Sequence, residues 1–180
     1  MITDIKTFIV NVRPTREEDL EQIQVIDQHS FNLPWPARAF RHELLENPHA
    51  RLWTAEANSG EGAVVVGVIV VWLIIDEVHI ATIAVQPEFR RRGIGRRLLA
   101  AALQDALRSG CRNATLEVRA GNQAAQSLYR RFGFEVVGWR PRYYRDNQED
   151  AILMTAANLG EAYSRWLENG GWEREGWTYS

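Results

Sequence analysis

Gly93 and Gly95 stand one residue apart, directly after the run Arg90, Arg91 and Arg92, and they open a segment of helical periodicity. Glycines let a backbone approach a ligand closely, and a helix start presents unpaired N–H groups at the positive end of its dipole. With Ile94 between the glycines and Arg96 after them, the segment forms a cradle suited to a pyrophosphate, to which guanidinium groups add attraction. It is not a Walker A loop, because no Gly-Lys-Ser/Thr follows, and it lacks the third glycine of a dinucleotide fingerprint. On the residues alone, a plain strand–helix connection carrying surface arginines reads the same way.

Glu117 lies between apolar Leu116 and Val118 near the end of an expected strand, so alternation can turn its carboxylate away from its neighbours and toward a cleft. The same pattern fits a surface carboxylate paired with an arginine such as Arg119. Tyr129 falls seven residues after Asn122, about two turns along one helix face. Beside Leu128 and Phe132 it also fits core packing. Asn122 can cap this helix and can hydrogen-bond a ligand; the two roles are compatible. His29, His42, His49 and His79 show no close metal-ligand pairing and no cysteine partner, so no metal is expected. Cys111, the lone cysteine, reads as a small core residue and excludes an internal disulfide.

These residues need a scaffold, and the periodicities supply one. A β-rich stretch over 8–13 ends at Pro14, where Thr15 and Glu18 form an expected capping box for a helix carrying Leu20, Ile23 and Ile26. A proline-rigid loop, Phe31 to Pro36, precedes a short helix ending near Glu46. Residues 51–57 and the valine- and isoleucine-rich run 63–75 form a hairpin around 58–62, and 78–85 is a third strand. After the glycine loop comes a helix with Leu98, Leu99, Ala102 and Leu107 on one side, stopping at Gly110. A strand over 114–118, a helix over about 122–132 closed by Gly133, and strands over 134–139 and 150–156 complete the body. The class is α/β, with a sheet of mixed strand directions. Leu159, Tyr163, Trp166 and Leu167 then have helical spacing in a Trp-rich tail expected to pack on the body.

The order and spacing of Ile83-Ala84-Val85, Arg90-x-x-Gly93-x-Gly95, Leu116 to Asn122, Ser127-Leu128-Tyr129 and Phe132-Gly133-Phe134 resemble the GNAT acetyltransferases, whose loop signature is Q/R-x-x-G-x-G/A. More narrowly, Leu-Glu-Val-Arg-Ala-x-Asn, Leu-Tyr, Tyr143-Tyr144 and Glu149-Asp150-Ala151 resemble the RimI-type alanine N-acetyltransferases, which modify the first residue of a small-subunit ribosomal protein. The resemblance implies a central mixed, mostly antiparallel sheet flanked by helices, with a splayed strand pair forming an acetyl-CoA cleft. It assigns 1–157 to the acetyltransferase domain and leaves 158–180 as an extension.

Acetyl transfer to an α-amine, of free pKa near ~8, needs a base, stabilisation of developing oxyanion charge, and tolerance of a departing thiolate. The resemblance makes Glu117 the general base and Tyr129 the general acid. It places the coenzyme on backbone groups of Ile83, Ala84 and Val85, on the segment Arg90, Arg91, Arg92, Gly93, Ile94, Gly95 and Arg96, and on Asn122. It also places Leu33, Pro34, Trp35, Tyr143 and Tyr144 around a peptide N-terminus, in a tight apolar pocket suited to a small first residue. On the residues alone, the same two loops fit ordinary hydrophobic packing.

Composition narrows the partners. A net charge of −2 excludes a globally basic nucleic-acid binder, and the 13-residue apolar run is too short to span a bilayer. No signal-like leader is legible, with Asp4 early, so a cytoplasmic monomer or weak homodimer is expected. Of 21 basic residues only Lys6 is a lysine. Arg90, Arg91, Arg92, Arg96 and Arg97 place five positive charges around the paired glycines. Two other functions share these features: acetylation of a lysine side chain or small-molecule amine, and a non-catalytic acyl-CoA-binding module.

Overall fold

The valine-rich run becomes an interior strand of a seven-stranded sheet. The computed structural model describes residues 9–59 and 62–179; Asp4, Lys6, Phe8 at the expected start of the first strand, and Gly60 and Glu61 of the hairpin turn lie outside the described residues. The strands are β1 (Ile9–Pro14), β2 (Ala50–Ser59), β3 (Gly62–Ile74), β4 (Glu77–Val85), β5 (Asn113–Arg119), β6 (Glu135–Arg140) and β7 (Ala151–Ala156). Their spatial order is β1-β2-β3-β4-β5-β7-β6, and every pairing is antiparallel except the parallel β4–β5 pair. The sheet is therefore mixed and mostly antiparallel, as expected.

Both sheet faces are covered, which explains why β3 reads as a continuous apolar run and not as an alternating one. Helices α1 (Leu20–Ser30) and α2 (Ala39–Leu45) cover one face, burying Ile23, Ile26 and Phe40 with Val68 and Val70. Helix α3 (Ile94–Arg108) lies on the other, with Leu98, Leu99, Ala102 and Leu103 fully buried against Val66, Ile69 and Val71. Gly67 permits this approach: a Cβ there would meet Leu98 Cδ1 at 3.0 Å and the Ala84 carbonyl at 3.1 Å. Helix α4 (Gln123–Arg131) follows β5, and the tail forms α5 (Glu161–Glu168) and α6 (Gly171–Arg174). Among the described residues, no helix is long and apolar enough to cross a membrane.

The start of α1 corrects one expectation. Thr15 does not cap; it is buried, and its hydroxyl lies 2.7 Å from that of Thr54 on β2. Asp19, one residue beyond the expected Glu18, accepts the backbone N–H of Arg16 at 2.8 Å and pairs with Arg13 at 2.7 Å. A short 3₁₀ turn, Glu17–Asp19, shifts the helix start accordingly.

The feature that makes a site is in β4. Its pairing with β5 runs only from Glu77↔Asn113 to Ile80↔Leu116, although β4 continues to Val85 and β5 to Arg119. At the same point Ala81 is an extra residue against β3, where Val70 faces Thr82 and Val71 faces Ile80. A bulge bends its strand and shifts the side-chain alternation by one. Val78 and Ile80 accordingly point to the α3 face, whereas Ala84 points to the α1 face and Ile83 and Val85 return to α3. Beyond the bulge the two strands diverge into the splay anticipated above.

Tail residues close the α3 face. Tyr163 is buried and donates to the Phe132 carbonyl at 2.8 Å, Tyr179 donates to the Gly133 carbonyl at 2.8 Å, and the Trp177 N–H reaches the Arg131 carbonyl at 2.8 Å. Trp166 and Trp172 pack on the Phe132 ring at 5.6 and 6.4 Å. Cys111 is buried in the same core.

Candidate active site

The gap between β4 and β5 opens into two cavities that meet at Ile83 and Ala125. One, of about 550 Å³, lies between the end of β4, the glycine loop and α4, and is lined by Val85, Phe89, Arg91, Gly93, Gly95 and Leu128 among others. The other, of about 380 Å³, is lined by Ser30 at the end of α1, by Asn32, Leu33 and Trp35 from the α1–α2 loop, by Glu117 and Arg119 of β5, and by Asn122, Tyr129 and Tyr144. A single slot thus runs from the start of α3, past the unpaired edge of β4, to the loops around Trp35 and Tyr144.

Beside the first cavity, Gly93 is left-handed at φ 78° and turns the chain into α3, a conformation open to glycine at little cost. Gly95 is different: a Cβ there would only touch Leu128 at 3.5 Å, an ordinary contact. The arginines do not form one undivided block. Arg90 donates through Nε to the Val85 carbonyl at 2.9 Å and through Nη2 to Ser30 at 3.2 Å, bracing the loop against the end of α1. Arg97 turns to the Val10 carbonyl at 3.3 Å, and Arg96 reaches the Glu173 carbonyl at 3.5 Å. Arg92 lies over the Phe89 ring at 5.7 Å.

In the second cavity the alternation of β5 buries Leu116 and Val118 and leaves Glu117 at the cleft with a fifth of its side chain exposed. Its partner is not Arg119 but Arg140, whose Nη2 lies 3.0 Å from Oε1. The Tyr143 phenol faces the same carboxylate, and its pKa is raised by that hydrogen bond and then by burial. Burial holds His79 below the usual imidazole range against the opposing pull of Glu117, so the ring, stacked on Trp72 at 5.4 Å, is neutral near pH 7. Tyr129 is 6% exposed, and burial raises its pKa far above the usual phenol range. It therefore keeps its proton at every working pH. Asn122 caps α4, its Oδ1 accepting from the Ala125 N–H at 3.1 Å.

A profile described as "Acetyltransferase (GNAT) family" matches residues 20–134, more than half of the chain. The chain belongs to the GNAT acetyltransferase family. Among curated relatives, the N-alpha-acetyltransferase RimI of Mycobacterium tuberculosis is 42% identical over 129 residues, covering 67% of this chain and 74% of that protein. The ribosomal protein bS18-alanine N-acetyltransferase of Escherichia coli is 32% identical over 138 residues, covering 76% and 89%. A crystal structure of the Escherichia coli ribosomal-protein-S18-alanine N-acetyltransferase superposes with a TM-score of 0.73 at 27% identity, covering 85% of this chain and 97% of that one.

The GNAT slot brings together most of the residues singled out from sequence. Leu33, Trp35, Ile83, Glu117, Asn122, Tyr129 and Tyr144 line its continuation beyond the bulge, and Val85, Arg90, Arg91, Gly93, Ile94, Gly95 and Arg96 line its glycine-loop end. Ala84 can contribute only its backbone, since its side chain lies in the α1-side core. Pro34 and Tyr143 do not line the cavity; Pro34 is exposed, and Tyr143 stands edge-on to Tyr144 at 5.3 Å. Sequence reasoning missed Arg140, Asn32 and Thr82. Arg140 lies one strand away from β5, level with its end, because its partner Ala151 on β7 is also that of Arg119; the β6–β7 register shift at Val137 kept this out of the sequence reading.

Proposed function

We propose that this GNAT enzyme moves the acetyl group of acetyl-CoA directly to the α-amino group of a protein N-terminus, with a ribosomal-protein N-terminal alanine as the acceptor. One observation carries the reading: Glu117 and Tyr129 line a single slot at the point where β4 is unpaired and its backbone edge is open. The residues fit the coenzyme. The β4 edge beyond Ile80 offers free peptide groups to an extended amide-bearing arm, and the start of α3 offers N–H groups to phosphates, with Arg91 and Arg92 beside it. Acetyl-CoA supplies an activated thioester carbonyl and a sulfur leaving group.

The chain's own residues then divide the work. Glu117 takes a proton from the acceptor ammonium, directly or through a water, while Arg140 holds its carboxylate in place. A backbone N–H near Val85 stabilises the carbonyl oxygen as charge builds on it. Tyr129, protonated before the step, gives its proton to the departing sulfur as the C–S bond breaks, and the second proton of the newly acylated nitrogen restores the phenol. Asn122 fixes the start of α4 and so the height of Tyr129 in the slot. Leu33 and Trp35 on one wall and Tyr144 on the other admit a small first side chain. The catalytic unit is residues 1–157, acting in the cytoplasm.

The acceptor specificity of the two relatives, named for N-terminal α-amine and bS18 alanine acetylation, supports this choice over a lysine side chain or a small-molecule amine. The test is a panel of acceptors with acetyl-CoA: peptides beginning with Ala, Ser or Met against free lysine and polyamines, followed by thiol release. The Ala-initiated peptide is expected to turn over fastest. Faster turnover of lysine or a polyamine would overturn the acceptor assignment. Coenzyme binding with no thiol release on any acceptor would make the chain a binding module.

A further inference from the structure

The Trp-rich tail supplies no group to the chemistry above, yet it is fastened to both helices that flank the glycine-loop cavity. That cavity lies between the first turn of α3, with Gly95 and Arg96, and one face of α4, with Ala125 and Leu128. Arg131 follows Leu128 by three residues, about one turn on, and lines neither cavity. It donates through Nε to the Trp172 carbonyl at 2.7 Å and through Nη2 to the Glu173 carbonyl at 3.2 Å. Arg96, on the opposite wall, donates through Nη1 to the same Glu173 carbonyl at 3.5 Å.

Arg96 carries this contact to the glycine loop itself. A Cβ at Gly93 would lie 3.3 Å from its Nη2, so one edge of the guanidinium holds the tail while the other faces the loop. A guanidinium has separate donors for the two directions. The α4 side is anchored twice more. The Trp177 N–H reaches the Arg131 carbonyl at 2.8 Å, and Tyr163 donates to the Phe132 carbonyl at 2.8 Å. Both carbonyls stand at the end of α4, where a helix leaves its last acceptors without partners of its own. Tyr163 and Leu167 are buried in the core, so the tail reaches Glu173 from a fixed platform.

We propose that the tail positions the coenzyme site: the Glu173 carbonyl, shared by Arg96 and Arg131, sets the spacing between the start of α3 and the end of α4, and with it the width of the glycine-loop cavity. Arg131 is then a positioning residue, acting through the tail on groups that touch the coenzyme. This rests on the acetyl-CoA reading of that cavity. Linkage makes the coupling reciprocal: the factor by which a docked tail tightens acetyl-CoA is the factor by which acetyl-CoA tightens tail docking.

Hydrogen–deuterium exchange of the full wild-type chain, with and without acetyl-CoA, tests the coupling directly. Acetyl-CoA is expected to slow exchange by about fivefold or more at the amides of 171–177, none of which lines the cavity. In Arg131→Met, which keeps the side-chain length without its donors, that protection should be lost. Calorimetry should then give an acetyl-CoA Kd raised by about fivefold or more, with the KM for an Ala-initiated peptide unchanged. Tyr179→Phe removes the tail's hydrogen bond to the Gly133 carbonyl but leaves those of Arg96 and Arg131 in place, so its Kd should match wild type. Unchanged or faster exchange in the wild-type tail, no rise in Kd for Arg131→Met, or an equal rise in both variants would overturn the proposal. Wild-type protein that does not bind acetyl-CoA at all would refute the coenzyme reading first, and this positioning role with it.

Discussion

Replacing Tyr129 by phenylalanine separates chemistry from packing unusually well. The ring is buried, sits 5.8 Å from the Phe134 ring, and would keep those contacts. No described residue hydrogen-bonds its hydroxyl, so deleting the oxygen breaks no bond within the protein. Stability should therefore hold or rise slightly. Loss of a general acid, by contrast, costs roughly 10²–10⁴-fold in rate, about 3–5 kcal/mol of barrier. The fall should appear in kcat, because in the proposed role the phenol acts on the leaving sulfur and not on ground-state binding. Three measurements read this out: thiol release under saturating acetyl-CoA and peptide, calorimetric binding of acetyl-CoA, and a thermal melt. Expected together are a kcat at or below about one hundredth of wild type, unchanged coenzyme affinity and an unchanged or higher Tm. A kcat within a few-fold of wild type would refute the acid role and return Tyr129 to core packing. A large drop in Tm would refute the claim that its hydroxyl is structurally idle.

Glu117→Gln should lower kcat by roughly 10²–10⁴-fold with the acetyl-CoA KM unchanged, and stopped-flow thiol release at saturating peptide checks it. Asp27→Asn should raise Tm at neutral pH. Burial raises the Asp27 pKa above its unfolded value, so the folded state binds the extra proton between the two values and wild-type stability falls as pH rises through that window. The asparagine does not titrate, so its advantage should be largest above the window and vanish as pH drops toward 4, which melts across pH would show. Gly93→Ala should lower stability by about 1 kcal/mol because its φ of 78° is left-handed. Gly95→Ala, with only Leu128 nearby, should hold or gain up to about 1 kcal/mol, and paired denaturant titrations compare the two.

What was legible in the sequence was whatever depends on local periodicity and fixed spacing. The α3 stripe of Leu98, Leu99 and Ala102, the Asn122 cap and the outward turn of Glu117 all follow from one element's own repeat. The cap at Thr15 failed because a long-range partner, Thr54, competes for the hydroxyl, and no local rule contains residue 54. The bulge at Ala81 was invisible for a related reason: it is a mismatch of count between β3 and β4, and neither strand shows it alone. Yet that one extra residue stops the β4–β5 pairing, exposes the strand edge and returns Ile83 and Val85 to the α3 face.

The arginine block shows the same limit in charge. Spacing placed five guanidinium groups around the glycines, but the protein holds several of them: Arg90 by Val85 and Ser30, Arg92 over the Phe89 ring, Arg96 by the Glu173 carbonyl, and Arg97 by Val10. A fixed guanidinium still contributes its charge to a bound phosphate while losing its freedom to wrap around it. The loop is thus better understood as a rigid positive frame, in which the backbone N–H groups at the start of α3 are open to an anion and the arginines set the field. Arginine suits that task better than lysine, because its several N–H donors can brace the backbone on one side while its charge remains available on the other.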